Sequence, residues 1–407
     1  MGLAFISCGN NEELTPKPIQ MLERAKLNYG QRLLSYNEKI NSVAYNNKTQ
    51  SILFSLEPTP GGQTSVFEFN YKSTDNLSGI EFSNNFKLKA HATKPNKIIK
   101  ISPNGKFLAF SSWNGELIIK TKDSIYSKTT FDYVITSLEF IDKFIVIGDR
   151  KGNITLYDIE KKKIHTSIKL FNGNVTSIKS FKLAQFFVSG TGSNVYLVDG
   201  ESGKILRTIK TRNFKEKLLI FSGLNHCIVD RINEILYIPE KETLVTTHGW
   251  DYCSRPKIKV WNVNTWKTIF ETKILEAQVN LMTWAPKTQE IIFADENTSL
   301  WTLNLDNQKL ENKTQLSGIF DLLNKPNEKK QITLIKSFKF GMLNSLELIP
   351  NTDIAILGVG SFFRGGSGLL ITRKTRTNFK HLGFFGKSKN HIYLFTPREI
   401  IPQQINN

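Results

Sequence analysis

The chain reads as an all-β protein, a seven-bladed β-propeller, and three observations carry that reading. A strand–turn–strand unit recurs along the sequence. Turns rich in Gly, Asn and Asp separate its strands, and Pro18 to Leu27 and Ile319 to Leu323 are the only short helical candidates. Many short strands at regular spacing suggest a barrel, a sandwich or a propeller. A period of roughly 40–50 residues with four strands per unit selects the propeller. The spacing is uneven, which leaves six or eight blades open beside seven.

The unit is clearest from Lys97 to Thr129. Ile98-Ile99-Lys100-Ile101 runs into the turn Ser102-Pro103-Asn104-Gly105, and Lys106-Phe107-Leu108-Ala109-Phe110 follows. Asn114-Gly115 then turns the chain into Glu116-Leu117-Ile118-Ile119-Lys120, and Asn-Gly between strand-like runs is the strongest short-range hairpin signal. First strands are expected near Ile40, Ile98, Ile135, Val175, Glu234, Asn280 and Asn344. Third strands are expected at Ser65 to Asn70, Glu116 to Lys120, Asn153 to Asp158, Asn194 to Asp199, Lys257 to Asn262, Ser299 to Asn304 and Gly368 to Arg373. Residues 1–30 form a signal or tether segment in this reading, and 31–407 a single propeller domain. Gln31 to Tyr36 and His391 to Phe395 are placed to complete one blade from both directions, which would remove an exposed edge.

Asn153-Ile154-Thr155-Leu156-Tyr157-Asp158, followed by Lys161 to Ile168, resembles the third and fourth strands of a WD repeat (WD40/YVTN-like propellers). Tyr157-Asp158 stands where that family has Trp-Asp, and Val198-Asp199 and Trp261-Asn262 take the same place later. Ser102 to Ala109 resembles the family's turn between first and second strands. No unit keeps both the Gly-His and the Trp-Asp dipeptides, Ala90-His91 being the nearest approach to the former. The resemblance implies a rigid disc that binds partners and needs no cofactor.

Composition limits the alternatives. Hydrophobic residues are 40% of the chain, with 28 Phe, 11 Tyr and 6 Trp, so a sizeable core can form, and 22% charged residues is an ordinary globular share. No run reaches the roughly 18 apolar residues of a membrane-crossing helix. The net charge of +18 favours polyanions, an anionic polymer among them. The basic runs Lys161 to Lys163, Lys329-Lys330 and Arg373 to Lys380 are scattered, however. Nucleic-acid binding needs a basic face interleaved with aromatics, which the linear sequence does not display, so a protein partner is expected instead.

Met1-Gly2-Leu3-Ala4-Phe5-Ile6-Ser7-Cys8 precedes polar Gly9 to Glu13. An apolar stretch, a small residue, a Cys and a polar tether resemble the end of a bacterial lipoprotein signal. The resemblance implies diacylglycerol on Cys8 and anchoring in the periplasm or at the outer membrane. A full signal has a basic segment and about 7–15 apolar residues, whereas only Leu3 to Ile6 are apolar here. The alternatives are an unmodified, cytoplasmic adaptor and myristoylation at Gly2, whose pattern wants Ser or Thr where Ile6 stands.

Three cysteines occur. With Cys8 lipidated, Cys227 and Cys253 could form a disulfide in an oxidising compartment. His226, Cys227, His248 and Cys253 have zinc-ligand chemistry, but neighbours on a strand point to opposite faces and there is no Cys-x-x-Cys, so no metal is expected. Nucleophile-elbow, Walker, zinc-protease and dinucleotide motifs are missing. Gly365-Gly366-Ser367-Gly368 leads into a strand, and Asp251 reads as a turn residue. An enzyme with its site in the central channel is the third reading, and it would need acids or histidines converging there. For a non-catalytic scaffold, the aromatics in predicted turns are the candidate anchors: Trp113, Trp250, Tyr252, and the pair Phe362-Phe363 with Arg364.

Overall fold

The computed structural model describes residues 39–57, 64–73, 80–82, 87–92, 96–122, 124–211, 231–249, 256–272, 275, 277–296, 299–315, 343–350, 352, 354–359, 367–374, 379–388 and 391–395. Their strands pair into seven antiparallel sheets, numbered here in chain order. Sheet three shows the plan: Ile135–Ile141, Phe144–Asp149, Asn153–Asp158 and Lys163–Lys169 lie side by side in sequence order. The innermost strands of the seven sheets are Lys39–Asn46, Asn96–Ile101, Ile135–Ile141, Val175–Ser180, Ile232–Ile238, Val279–Ala285 and Leu343–Leu348. Each touches the next around a cycle, and Leu343–Leu348 touches Lys39–Asn46. Six of the seven expected third strands match to within a residue at each end, Thr64–Ser73 in sheet one alone running three residues further.

Burial explains the strand sequences. Phe144–Asp149 is buried at every position except its last, because sheets cover both of its faces. Such a strand reads as a continuous apolar run rather than an alternating one. The outermost strand, Lys163–Lys169, is mostly exposed and is polar. Five apolar clusters each span two adjacent sheets, from sheets one and two through to sheets five and six. One of them joins Phe144, Leu156 and Ile141 of sheet three to Phe186, Val188 and Val198 of sheet four.

Every innermost strand carries a β-bulge at the same place, for example between Ile135 and Ser137, Val175 and Ser177, and Leu343 and Ser345. The bulge residue re-aims its side chain toward the neighbouring sheet. Thr136 Oγ1 donates to the Val175 carbonyl at 2.7 Å, Thr176 Oγ1 to Ile232 at 2.6 Å, and Asn344 Nδ2 to Ile40 at 2.9 Å. The next residue along acts similarly: Ser42 Oγ accepts the Ile99 N–H at 3.0 Å, and Ser345 Oγ accepts that of Val43 at 2.9 Å. Asn344 and Ser345 therefore tie sheet seven to sheet one with the bonds used between consecutive sheets.

The second strand faces each bulge with a small residue: Ser55, Ser111, Gly148, Ser189, Thr247, Ala294 or Gly358. The reason is steric. A Cβ on Gly148 would come within 2.4 Å of Val175, and one on Gly358 within 2.7 Å of Ile40.

In sheets three to six the polar residue expected at the end of the third strand caps the turn that follows. Asp158 accepts the Lys161 N–H at 2.8 Å, Asp199 that of Ser202 at 2.8 Å, Asn262 that of Thr265 at 2.8 Å and Asn304 that of Asn307 at 3.1 Å. His391–Phe395 pairs with Phe379–Ser388 as a fifth, outer strand of sheet seven. Among the described residues the ring closes where Leu343–Leu348 touches Lys39–Asn46. Gln31 to Tyr36 and both helical candidates lie outside the described residues.

Candidate functional site

The innermost strands enclose a channel of about 630 Å³. Three residues past each bulge residue stand, in order, Ala44, Lys100, Glu139, Lys179, Leu236, Thr283 and Glu347, and all of them line it. Apolar neighbours such as Ile99, Leu138 and Ile178 point the other way and are buried between sheets. Strand alternation thus puts the charges into the channel. Lys100 lies 3.0 Å from Glu139, and Lys179 lies 3.3 Å from Glu234, which also accepts a 2.5 Å bond from the Ser177 hydroxyl. Glu139 beside it holds the Lys100 ammonium above the usual lysine range, against the opposing effect of burial. Glu347 is raised above the usual carboxylate range, first by desolvation within the channel walls. Lys100 and Lys179 pull it back down, and Glu139 pushes it up.

The two ends of the ring differ in chemistry. One face carries the first-to-second and third-to-fourth turns, and exposed Lys48, Lys106, Lys122, Lys161, Lys162 and Lys182 belong to it. Contacts between turns of adjacent sheets stitch this face together: Lys143 to Glu201 at 2.6 Å, Lys162 over the Tyr126 ring at 4.1 Å, and Lys241 to Asp306 at 2.9 Å. The opposite face carries the second-to-third turns and the connections between sheets. There Trp113 is 38% exposed at the channel mouth, and Tyr133 is 43% exposed. The Trp113 turn is seated by Gly115, whose carbonyl accepts the Phe131 N–H at 2.9 Å. A Cβ on Gly115 would meet the Phe131 carbonyl oxygen at 2.3 Å, so a side chain there would push the turn off its support.

Of the expected site residues, Trp113 is placed at the channel mouth. Cys8, Cys227, Cys253, His226, Trp250, Asp251, Tyr252, Phe362, Phe363 and Arg364 lie outside the described residues. His248 is buried, with Nε2 2.8 Å from the Thr246 hydroxyl, which accepts the Trp261 indole N–H at 3.0 Å. Among the described residues no group of three or more His, Cys, Asp or Glu is placed to hold a metal ion, and no helix is long and apolar enough to cross a membrane. Sequence reasoning missed the channel charges. Their signal was a single charge inside an apolar run: Ile-Lys-Ile at Lys100, Leu-Glu-Phe at Glu139 and Leu-Glu-Leu at Glu347.

A scan against protein-family models finds no match, and neither does a search of curated proteins. Among solved structures, a chain in the crystal structure of a mitotic checkpoint complex, a WD40 β-propeller, superposes with a TM-score of 0.60 at 16% identity. The match covers 92% of this chain and 99% of that one. Because 1632 solved chains match, the likeness is to an architecture and not to one protein. The fold is that of a WD40-type β-propeller.

Proposed function

We propose that the protein is a non-catalytic interaction platform, which engages a protein partner at the channel mouth beside Trp113 and is tethered to a bacterial membrane through acylated Cys8. The observation that carries the platform reading is the half-exposed Trp113 indole on a turn fixed by Gly115 and supported by a closed ring of sheets. A rigid aromatic anchor loses little conformational freedom when it is buried by a partner. The tether rests on the residues around Cys8 alone.

Photo-crosslinking from position 113, and from Thr208 on an outermost strand, tests the platform. A protein adduct formed at 113 and not at 208 is expected; adducts at both, or at neither, would count against this site. Metabolic labelling with a palmitate analogue in wild type and Cys8→Ala tests the tether, and an unlabelled wild type refutes it.

One observation favours a second reading, an enzyme working in the channel: acids do converge there, and Glu347 is held partly protonated at higher pH than a free carboxylate. Two of those acids are ion-paired to lysines, which suits a structural lining better than acid–base chemistry.

A further inference from the structure

We propose that the lysine-rich face of sheets two to four lies against an anionic phospholipid bilayer, with Leu183 set among the headgroups. The inference holds with or without the Cys8 tether.

Charge is the first ground. Lys106, Lys122, Lys162, Lys163, Lys182 and Lys204 are exposed on adjacent turns of these three sheets. Among the described residues none of the six has a carboxylate within salt-bridge distance. Of the acids on these turns, Glu201 pairs with Lys143 and Asp158 holds Lys161, and although Asp142 and Glu160 are exposed there too, the lysines outnumber the acids. Every cation on these turns is lysine, a point charge that suits the diffuse field of a headgroup layer and does not select a planar bidentate partner.

The second ground is apolar surface in the same place. Leu183 is 96% exposed at the tip of the turn between Val175–Ser180 and Gln185–Gly190, flanked by Lys182. Ile125, Ile164, Ile205 and Leu206 are also exposed, at the first two positions of outermost strands, next to the third-to-fourth turns of this face. Lysines around exposed aliphatic side chains are the composition of a surface that rests in a bilayer interface. Neither a nucleic acid nor an acidic protein surface would reward an aliphatic tip.

Backbone conformation is the third. Leu183 has φ +47°, a left-handed geometry in which a bulky residue is disfavoured and glycine is not. The comparable positive-φ positions in the first-to-second turns of other sheets hold Gln50, Gly105, Asp142, Glu242 and Gln289. Among the described residues Leu183 is the one apolar side chain at such a position, and its exposure is costly unless something apolar receives it.

The test is co-sedimentation of Cys8→Ser protein, which cannot be acylated there, with vesicles of phosphatidylcholine alone and of phosphatidylcholine mixed with phosphatidylglycerol. Binding to the mixed vesicles only, weakening as salt rises, is expected. Each lysine neutralised should weaken binding about fivefold, so Lys162→Gln, Lys163→Gln and Lys182→Gln together should lower it about a hundredfold, while Lys151→Gln on the opposite face leaves it unchanged. Leu183→Gly should bind about tenfold more weakly yet melt at the same or a higher temperature, which rules out misfolding as the cause. Equal binding to both vesicles, no binding, or Leu183→Gly binding like wild type would overturn the proposal. So would full displacement from mixed vesicles by a double-stranded DNA fragment at low concentration, which would identify a general polyanion surface.

Discussion

Single residues decide where this ring is rigid. Gly115 has φ +80° and no room for a Cβ. Gly115→Ala should therefore cost about 2–4 kcal/mol, from left-handed strain together with a clash against backbone, as read by chemical denaturation. Glu347 makes a subtler prediction. Desolvation raises its carboxyl in the folded state above the unfolded value, so the folded protein binds more protons between those two values. Its penalty is absent below the unfolded value and develops as pH rises through the folded one. Glu347→Gln should thus melt above wild type at neutral pH and converge with it in acid; the reverse order would show the carboxylate to be stabilised in the channel. At Asp158, buried and bonded to the Lys161 N–H, Asp158→Ala should cost about 1–3 kcal/mol and Asp158→Asn less, by thermal denaturation.

At the scale of the element, the repeated device is a bulge facing a small residue. Gly148→Val should cost upwards of about 2 kcal/mol, since its side chain would occupy the space of Val175, and Val175→Ala should recover part of that loss in a double mutant, the measurement being a double-mutant cycle. This device also shows how far the sequence could be read. Third strands such as Asn153–Asp158 and Asn194–Asp199 were legible because a Gly or Asn turn opens them and Asp closes them, and those residues do local work that needs no partner sheet. The bulges were not legible, because Thr136, Thr176 and Asn344 are defined by carbonyls that lie 39 to 304 residues away. Lys100 and Glu139 were passed over for a related reason: a charge on an apolar strand makes sense only once a channel exists to receive it. Trp113 was singled out as a turn aromatic, but its place at the channel mouth depends on how sheet two stands in the ring.

For the whole molecule, the two faces differ. Lysines and aliphatic tips crowd one end, while Trp113 and Tyr133 mark the other, so under the two proposals a molecule lying on a bilayer by the first would hold the second away from it, toward a partner. The seam between sheets seven and one has a further consequence, for kinetics. Neighbouring sheets join residues 39 or 56 positions apart, whereas Asn344 and Ile40 are 304 apart. Closing the longer loop costs only about 1.5–2 kcal/mol more in chain entropy, but it requires every intervening sheet to be in place. The seam should therefore form after the folding barrier has been crossed. Asn344→Ala is expected to accelerate unfolding several-fold and to leave the refolding rate nearly untouched, whereas Thr136→Ala, between consecutive sheets, should slow refolding. Stopped-flow measurement of both limbs would reveal the order in which the circle is drawn.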